Sequence, residues 1–373
     1  MSRPTLLLSL FALACADKDA GDDTASFNGE LAYDDIGTFG TTDTDNITDE
    51  FEFTVADDAS SVVVYCGAFG DQMLGALSTL SDPGGATFFD YWNAPSATPF
   101  RTTTHDDMVT FMIPNSPDAD ISGGTWGASV WVMSGFSNLD CKMVSRLGDV
   151  GDSVVLDVVF VGVSDYGLDA TAAPDDANWQ AVEAEIVRQY DSVGLDVSFQ
   201  YRDFSGSVDT YQVVDVTEDD YGEFNDLLRY GNPNGTRVVS LFMVESISTD
   251  EGKTILGKSG GPPGASTIAS TSKSGVVAMA ADIESDPVLT AKIIGHELGH
   301  YLGLWHTTER DGSSHDPLSD TPECTDDGGD GVMNSDDCSS KGADNAMFWT
   351  ANDTTSSFSS DQGWVMERNP STR

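Results

Sequence analysis

The chain has 373 residues, of which 62 are acidic and 17 basic, for a formal charge of −45. That imbalance excludes nucleic acid as a partner, because a phosphate backbone and such a surface repel one another. Hydrophobic residues make up 39%, enough for two cores in a chain of this length. The acidity is spread rather than gathered in a tail, so the surface repels itself in dilute buffer; a salty habitat and bound calcium are both compatible compensations.

Residues 1–15 carry one positive charge at Arg3, an apolar run from Leu6 to Leu13, and Ala14 before Cys15. The run is too short to span a bilayer and reads as a secretion signal. Ala12-Leu13-Ala14-Cys15 resembles a bacterial lipoprotein cleavage box, with Ala12 where Leu is preferred. The resemblance implies a lipid on Cys15 and attachment to a membrane surface; a plain signal peptide, with secretion, is the other reading. Residues 16–26, rich in Asp, Ala and Gly, suit a flexible linker.

From 27 to 147 the chain shows short β-type runs, Phe51 to Val55, Ser61 to Tyr65, Met108 to Ile113 and Ala128 to Met133, separated by Gly, Pro and Asp clusters. This is an all-β pattern. The Asp43 to Asp49 loop and the Gly124-Thr125-Trp126-Gly127 approach resemble the bacterial pre-peptidase carboxy-terminal type of β-sandwich, which implies an accessory or adhesive module. With Cys15 lipidated or removed, four cysteines remain: Cys66 and Cys141 in this half, Cys324 and Cys338 in the other. One disulfide in each half is the simplest of the three connectivities, and disulfides agree with export.

The composition changes around Gly148, and 148–373 alternates strand and helix patterns as an α/β domain does. Val154 to Val163 predicts a buried strand, and Trp179, Val182, Ile186 and Tyr190 recur at helical spacing within Asp175 to Tyr190. Val197 to Tyr201 and Arg237 to Val244 predict two more strands, with a short helix over Tyr221 to Tyr230. Leu256 to Gly264 is glycine-rich but lacks the Gly-Lys-Ser/Thr ending of a phosphate loop. Ser274 to Ala281 is strand-like. Asp286-Pro287 then opens a helix, Asp as cap and Pro at the first helical position.

On that helix His296 and His300 are four residues apart and share one face, with Glu297 beside them. Four of the five histidines lie between His296 and His315. Gly303 is able to turn the backbone in the left-handed conformation and bring His306 back towards the same ion. Three neutral nitrogens leave one position open on a tetrahedral zinc, the arrangement of a catalytic site.

His296-Glu297-Leu298-Gly299-His300 with Gly303 and His306 resembles the metzincin metallopeptidases, whose signature is HExxHxxGxxH followed by a Met-turn. Thr307, then Asp320-Thr321-Pro322 with Cys324, and Asn345-Ala346-Met347 are similar to the pappalysin (cytophagalysin) branch. The resemblance runs from about Val154 to Asn369 and is firmest from Lys292 to Met347. It implies a mixed-sheet α/β catalytic domain with a zinc-site helix, a Met-turn at Met347 and a closing carboxy-terminal helix, preceded by the all-β sandwich. It also implies that Ser274 to Ala281 is an edge strand that pairs with extended substrate. A capping box of Ser359 with Gln362 opens the last helix.

Two features depart from the family. Trp349 stands where the family commonly has Tyr, as an oxyanion or subsite neighbour, and the subdomain has only Cys324 and Cys338 for a disulfide. The loop with Asp326, Asp327, Asp330, Asp336 and Asp337 reads either as a calcium site or as a solvated acidic loop. His315 is weighed as an extra ligand, but a fourth protein nitrogen would close the open zinc position.

The sequence therefore predicts an exported zinc endopeptidase acting on protein or peptide substrates, with His296, His300 and His306 as ligands and Glu297 as general base for a metal-activated water. The alternative is a surface-anchored, non-catalytic or calcium-dependent binding protein on the same scaffold.

Overall fold

The computed structural model describes residues 29–41, 46–68, 75–93, 99–102, 104–106, 108–132, 138–216, 222–249, 254–325, 331–352, 355 and 357–373. The expected signal, Cys15 and linker lie outside these residues, as do Asp326, Asp327 and Asp330. The described chain is a mixed α/β structure of several sheets and few helices.

Through Gly148 the described elements are strands: β1 (Gly29–Gly40), β2 (Phe51–Val55), β3 (Ala59–Ala68), β4 (Gly75–Ser81), β5 (Thr87–Asp90), β6 (Thr104–Asp106), β7 (Met108–Ile113), β8 (Gly124–Val132) and β9 (Asn138–Gly148). They form two antiparallel sheets, β1-β9-β3-β7 and β2-β8-β4-β5, with β6 added to β4. The period-2 alternation in β2, with Phe51, Phe53 and Val55 buried between exposed residues, sends its apolar set to one face. That set meets Val62, Val64, Phe111, Trp126 and Val130 in one cluster enclosed by the two sheets. Cys66 and Cys141 are register partners on β3 and β9 and are joined by a disulfide.

A second sheet system follows: β10 (Ser153–Phe160), β11 (Asp196–Asp203), β12 (Val213–Asp215), β13 (Val239–Val244), β14 (Ser246–Ser248), β15 (Thr254–Ile255), β16 (Gly257–Ser259) and β17 (Val276–Met279). The main sheet has the order β11-β10-β13-β17-β16, parallel except for β16. The helices are α1 (Ala177–Asp191), α2 (Val208–Tyr211), α3 (Gly222–Leu228), α4 (Pro287–Tyr301) and α5 (Ser360–Arg368). A parallel strand is buried on both faces, and alternate residues choose the helix they meet. Leu156, Val158 and Phe160 join Trp179, Val182 and Ile186 of α1 and Ile294 and Leu298 of α4, whereas Val159 and Val161 join Phe224 and Leu227 of α3.

One expectation is corrected. Ser274 to Ala281 is not the sheet edge: β17 is hydrogen-bonded on both sides, by β13 and β16, and all four of its residues are buried. The glycine-rich segment supplies the edge instead, as the antiparallel β16. A run of four apolar residues satisfies its backbone and its side chains at once by lying inside the sheet.

The two sheet systems share apolar packing, since Val63 and Met112 on the outer face of the first sheet belong to the cluster built around α1 and α4. Arg146 of β9, fully buried, donates to Asn369 O, Thr372 O and Thr372 Oγ1 beyond the end of α5. Carbonyls at a helix carboxy-terminus carry partial negative charge, so they suit a cation. Among the described residues no helix is long and apolar enough to cross a membrane.

Candidate metal centre

The site is built on α4. Asp286 accepts from the Leu289 N–H at 2.9 Å and Pro287 fills the first helical position, so the helix starts where the sequence predicts. Ile294, Leu298 and Tyr301 anchor it in the core. The helix stops at Tyr301, and Gly303 takes φ +108°, a conformation in which a Cβ would be strained. The reversal there carries the chain back past the helix end and brings His306 to His296 and His300.

The three side chains converge. His306 Nε2 lies 3.2 Å from His296 Nε2 and 3.1 Å from His300 Nε2. Each ring's other nitrogen faces an oxygen: His296 Nδ1 donates to Ala346 O at 2.8 Å, His300 Nδ1 to Leu304 O at 2.8 Å, and His306 Nδ1 to a Glu309 carboxylate oxygen at 2.7 Å. Carbonyls and a carboxylate only accept, so the proton of each neutral ring sits on Nδ1 and each Nε2 presents a lone pair. Burial holds His296 in the neutral form, its pKa pushed down to about 3, with His306 adding to the effect. His300 is held well below the ordinary histidine value by burial and then by His296 and His306. Three inward lone pairs repel one another unless a cation lies among them.

The donor set fits zinc. Two nitrogens bound at about 2.0–2.1 Å with tetrahedral angles stand about 3.3 Å apart, close to the spacings found here. All three histidines have hydrogen-bond acceptors of the kind that orient metal-binding imidazoles, and borderline-soft imidazoles without thiolates match zinc better than calcium or magnesium. Among the described residues this is the one group of three or more His, Cys, Asp or Glu with ligand atoms close enough to share an ion.

Glu297 follows His296 and lies against β16, where a Cβ on Gly257 would meet its Cγ at 2.8 Å. Burial pushes its pKa up to about 7, against the opposing pull of Lys258 and of the Ser259 backbone. Met347 is fully buried against Gly299 of α4, its backbone N–H held by Asn345 Oδ1 at 2.7 Å and its carbonyl by the Thr307 N–H at 2.9 Å. The turn that carries Met347 also supplies the Ala346 carbonyl to His296. Cys324 and Cys338 are disulfide-bonded and pack with Met333, Ala343 and Phe348 in a small core after the motif.

Trp349 and His315 have partners of their own. Trp349 donates its single indole N–H to Met333 O and packs against the Cys324–Cys338 core, so that N–H is not turned towards an oxyanion. His315 stands outside the triad; its Nδ1 is 3.9 Å from a Glu323 carboxylate oxygen. Asp336 and Asp337 have their backbone N–H groups bound by Asn334 Oδ1 and join no ligand cluster among the described residues. Sequence reasoning missed Glu309, which stands three residues after His306 and accepts from its Nδ1, a spacing that was there to be read.

No protein-family profile matches the chain, and no curated protein matches it in sequence. Solved structures similar to it include metalloproteinase-II from Bacteroides fragilis, at 12% identity and a TM-score of 0.34, the alignment covering 63% of this chain and 63% of that one. The chain thus spans less than two thirds of that protein's length, and the case for a metal site rests on the histidine geometry alone.

Proposed function

We propose that the protein is an exported zinc endopeptidase of the metzincin kind, in the pappalysin-like branch, with residues 148–373 as the peptidase unit and 27–147 as an accessory unit. The supporting observation is the convergence of the Nε2 atoms of His296, His300 and His306. His296, His300 and His306 would hold the ion, which when bound supplies Lewis acidity to a scissile carbonyl and acidifies water. Glu297 takes the proton of the attacking water and returns it to the leaving amine. Protein or peptide is the substrate class, and an extended chain would add to the sheet edge at β16. Met347 serves as the Met-turn residue under the ligands. Two disulfides fit an oxidising extracellular or periplasmic compartment, and a lipid on Cys15 would tether the chain there. Calcium in the acidic loop after Cys324 has only the density of carboxylates in its support.

One observation favours a non-catalytic alternative: with Trp349 turned to Met333, no side-chain donor at that position waits for an oxyanion. Zinc stoichiometry and cleavage of a mixed peptide library, measured on the same preparations, discriminate. Wild type should hold about one zinc and cleave. Glu297→Ala should keep the zinc and lose at least ~10²-fold in rate, whereas His306→Ala should lose the zinc itself. A zinc-loaded wild type that cleaves nothing, and so behaves as Glu297→Ala does, would overturn the peptidase reading and leave the binding protein.

A further inference from the structure

The three candidate ligands are not oriented alike. His296 and His300 sit on α4 and donate to backbone carbonyls, which the fold itself holds in place. His306 lies past the helix, on the loop, and its acceptor is the side chain of Glu309. A carboxylate on a three-torsion stem has rotamers to choose from, so something must choose for it.

Arg101 is in position to do so, and it comes from the other half of the chain. It follows Phe100, which is buried in the amino-terminal apolar cluster with its ring 5.5 Å from Phe88 and 5.4 Å from Phe89, edge-on in both cases. The Arg101 carbonyl is bound by the side-chain amide of the buried Asn115. From this anchored backbone the guanidinium crosses to the segment around His306. Nη2 donates to Glu309 Oε1 at 2.9 Å, Nη1 donates to His315 O at 2.8 Å, and the guanidinium carbon lies 4.4 Å from the centroid of the Trp305 ring. Glu309 therefore divides its two oxygens, Oε1 to Arg101 and Oε2 to His306 Nδ1. Its backbone is fixed as well, in a turn where its N–H donates to Ser314 O and its carbonyl accepts from the Gly312 N–H, both at 2.9 Å.

We propose that Arg101 is a positioning residue of the metal centre: by clamping Glu309 it keeps the proton of His306 on Nδ1 and Nε2 turned to the ion, so the amino-terminal sheets complete the site. The inference rests on the metal-site reading given above. An ordinary exposed ion pair contributes little to stability, but this one is half-buried and made at three points that bracket His306, on Trp305, Glu309 and His315. Acceptors behind a ligating histidine influence metal affinity even where they add little to folding.

The test is Zn²⁺ affinity of the full-length protein, by competition with a chromogenic chelator at fixed pH and salt, with thermal unfolding followed in parallel. Arg101→Ala should bind zinc about 10–100-fold more weakly, the range for a lost partner behind a ligand. Glu309→Ala should do the same, and the double variant should be no worse than Glu309→Ala, because Arg101 acts through Glu309. Arg101→Lys should recover part of the loss, since an ammonium is able to reach the carboxylate but not His315 O as well. Tyr33→Phe, which removes a different contact between the halves, Tyr33 OH to Thr267 Oγ1 at 2.9 Å, should leave affinity unchanged. Wild-type affinity in Arg101→Ala, or additive losses in the double variant, would overturn the clamp while leaving the metal site standing. Failure of the wild type to bind zinc would overturn the metal site and the clamp with it.

Discussion

Gly299 and Met347 are in contact across the buried side of α4: a Cβ on Gly299 would stand 2.5 Å from the Met347 sulfur, closer than two such atoms can lie. The methionine has little room to retreat, since its backbone is held by Asn345 and Thr307 and Phe358 closes on the same point at 3.4 Å. Gly299→Ala sets two effects against each other. Alanine favours the helix by about 1 kcal/mol, and overpacking costs about 1–3 kcal/mol. The fully buried sulfur makes the second the larger, so the variant should melt below wild type and bind zinc less tightly. A higher melting temperature would show that the methionine yields.

Asp316 makes stability depend on pH. Burial pushes its carboxyl up to about 7, with Thr321 and the Leu318 N–H opposing, and Oδ2 is buried without a hydrogen-bond partner. Between the ordinary aspartate value and about 7 the folded chain keeps a proton that the unfolded chain has released. Stability from this group is therefore complete at low pH and falls as pH rises to about 7, by a few kcal/mol at most. Asp316→Asn should raise the melting temperature at pH 8 and leave it little changed at pH 4. Equal gains at both values would refute the charge-burial account.

Loss of the Cys324–Cys338 disulfide should act on the segment leading to Met347. The bridge closes a sequence separation of 14 residues, worth ~3 kcal/mol in the chain-entropy account. The Cys324→Ser/Cys338→Ser pair should lower the unfolding midpoint in urea by a corresponding amount, and an unchanged midpoint would mean that the small core holds the loop unaided.

Trp349→Phe separates two roles for the indole. Its N–H bonds to Met333 O, so the change should cost about 1 kcal/mol of stability while leaving the rate of peptide cleavage within a few-fold of wild type. A fall of ~10²-fold in rate, the size of a lost oxyanion donor, would place the indole at the reacting carbonyl instead.

What the sequence determined by itself is short-range. The Asp286 cap, Pro287, the shared face of His296 and His300, the positive φ of Gly303 and the Ser359–Gln362 capping box each depend on partners a few residues away. Backbone geometry restricts such partners almost completely, so residue type and spacing were enough to read them. The tertiary structure decided the rest. Only the folded chain puts β17 inside the sheet and β16 at its edge, because both strands are short and the choice depends on which neighbours fill each side. Only the folded chain turns Trp349 to Met333 and brings Arg101 to Glu309 across 208 positions. Contacts at that separation carry no local pattern; they exist because two apolar faces pack together and carry the polar side chains at their margins into reach of one another.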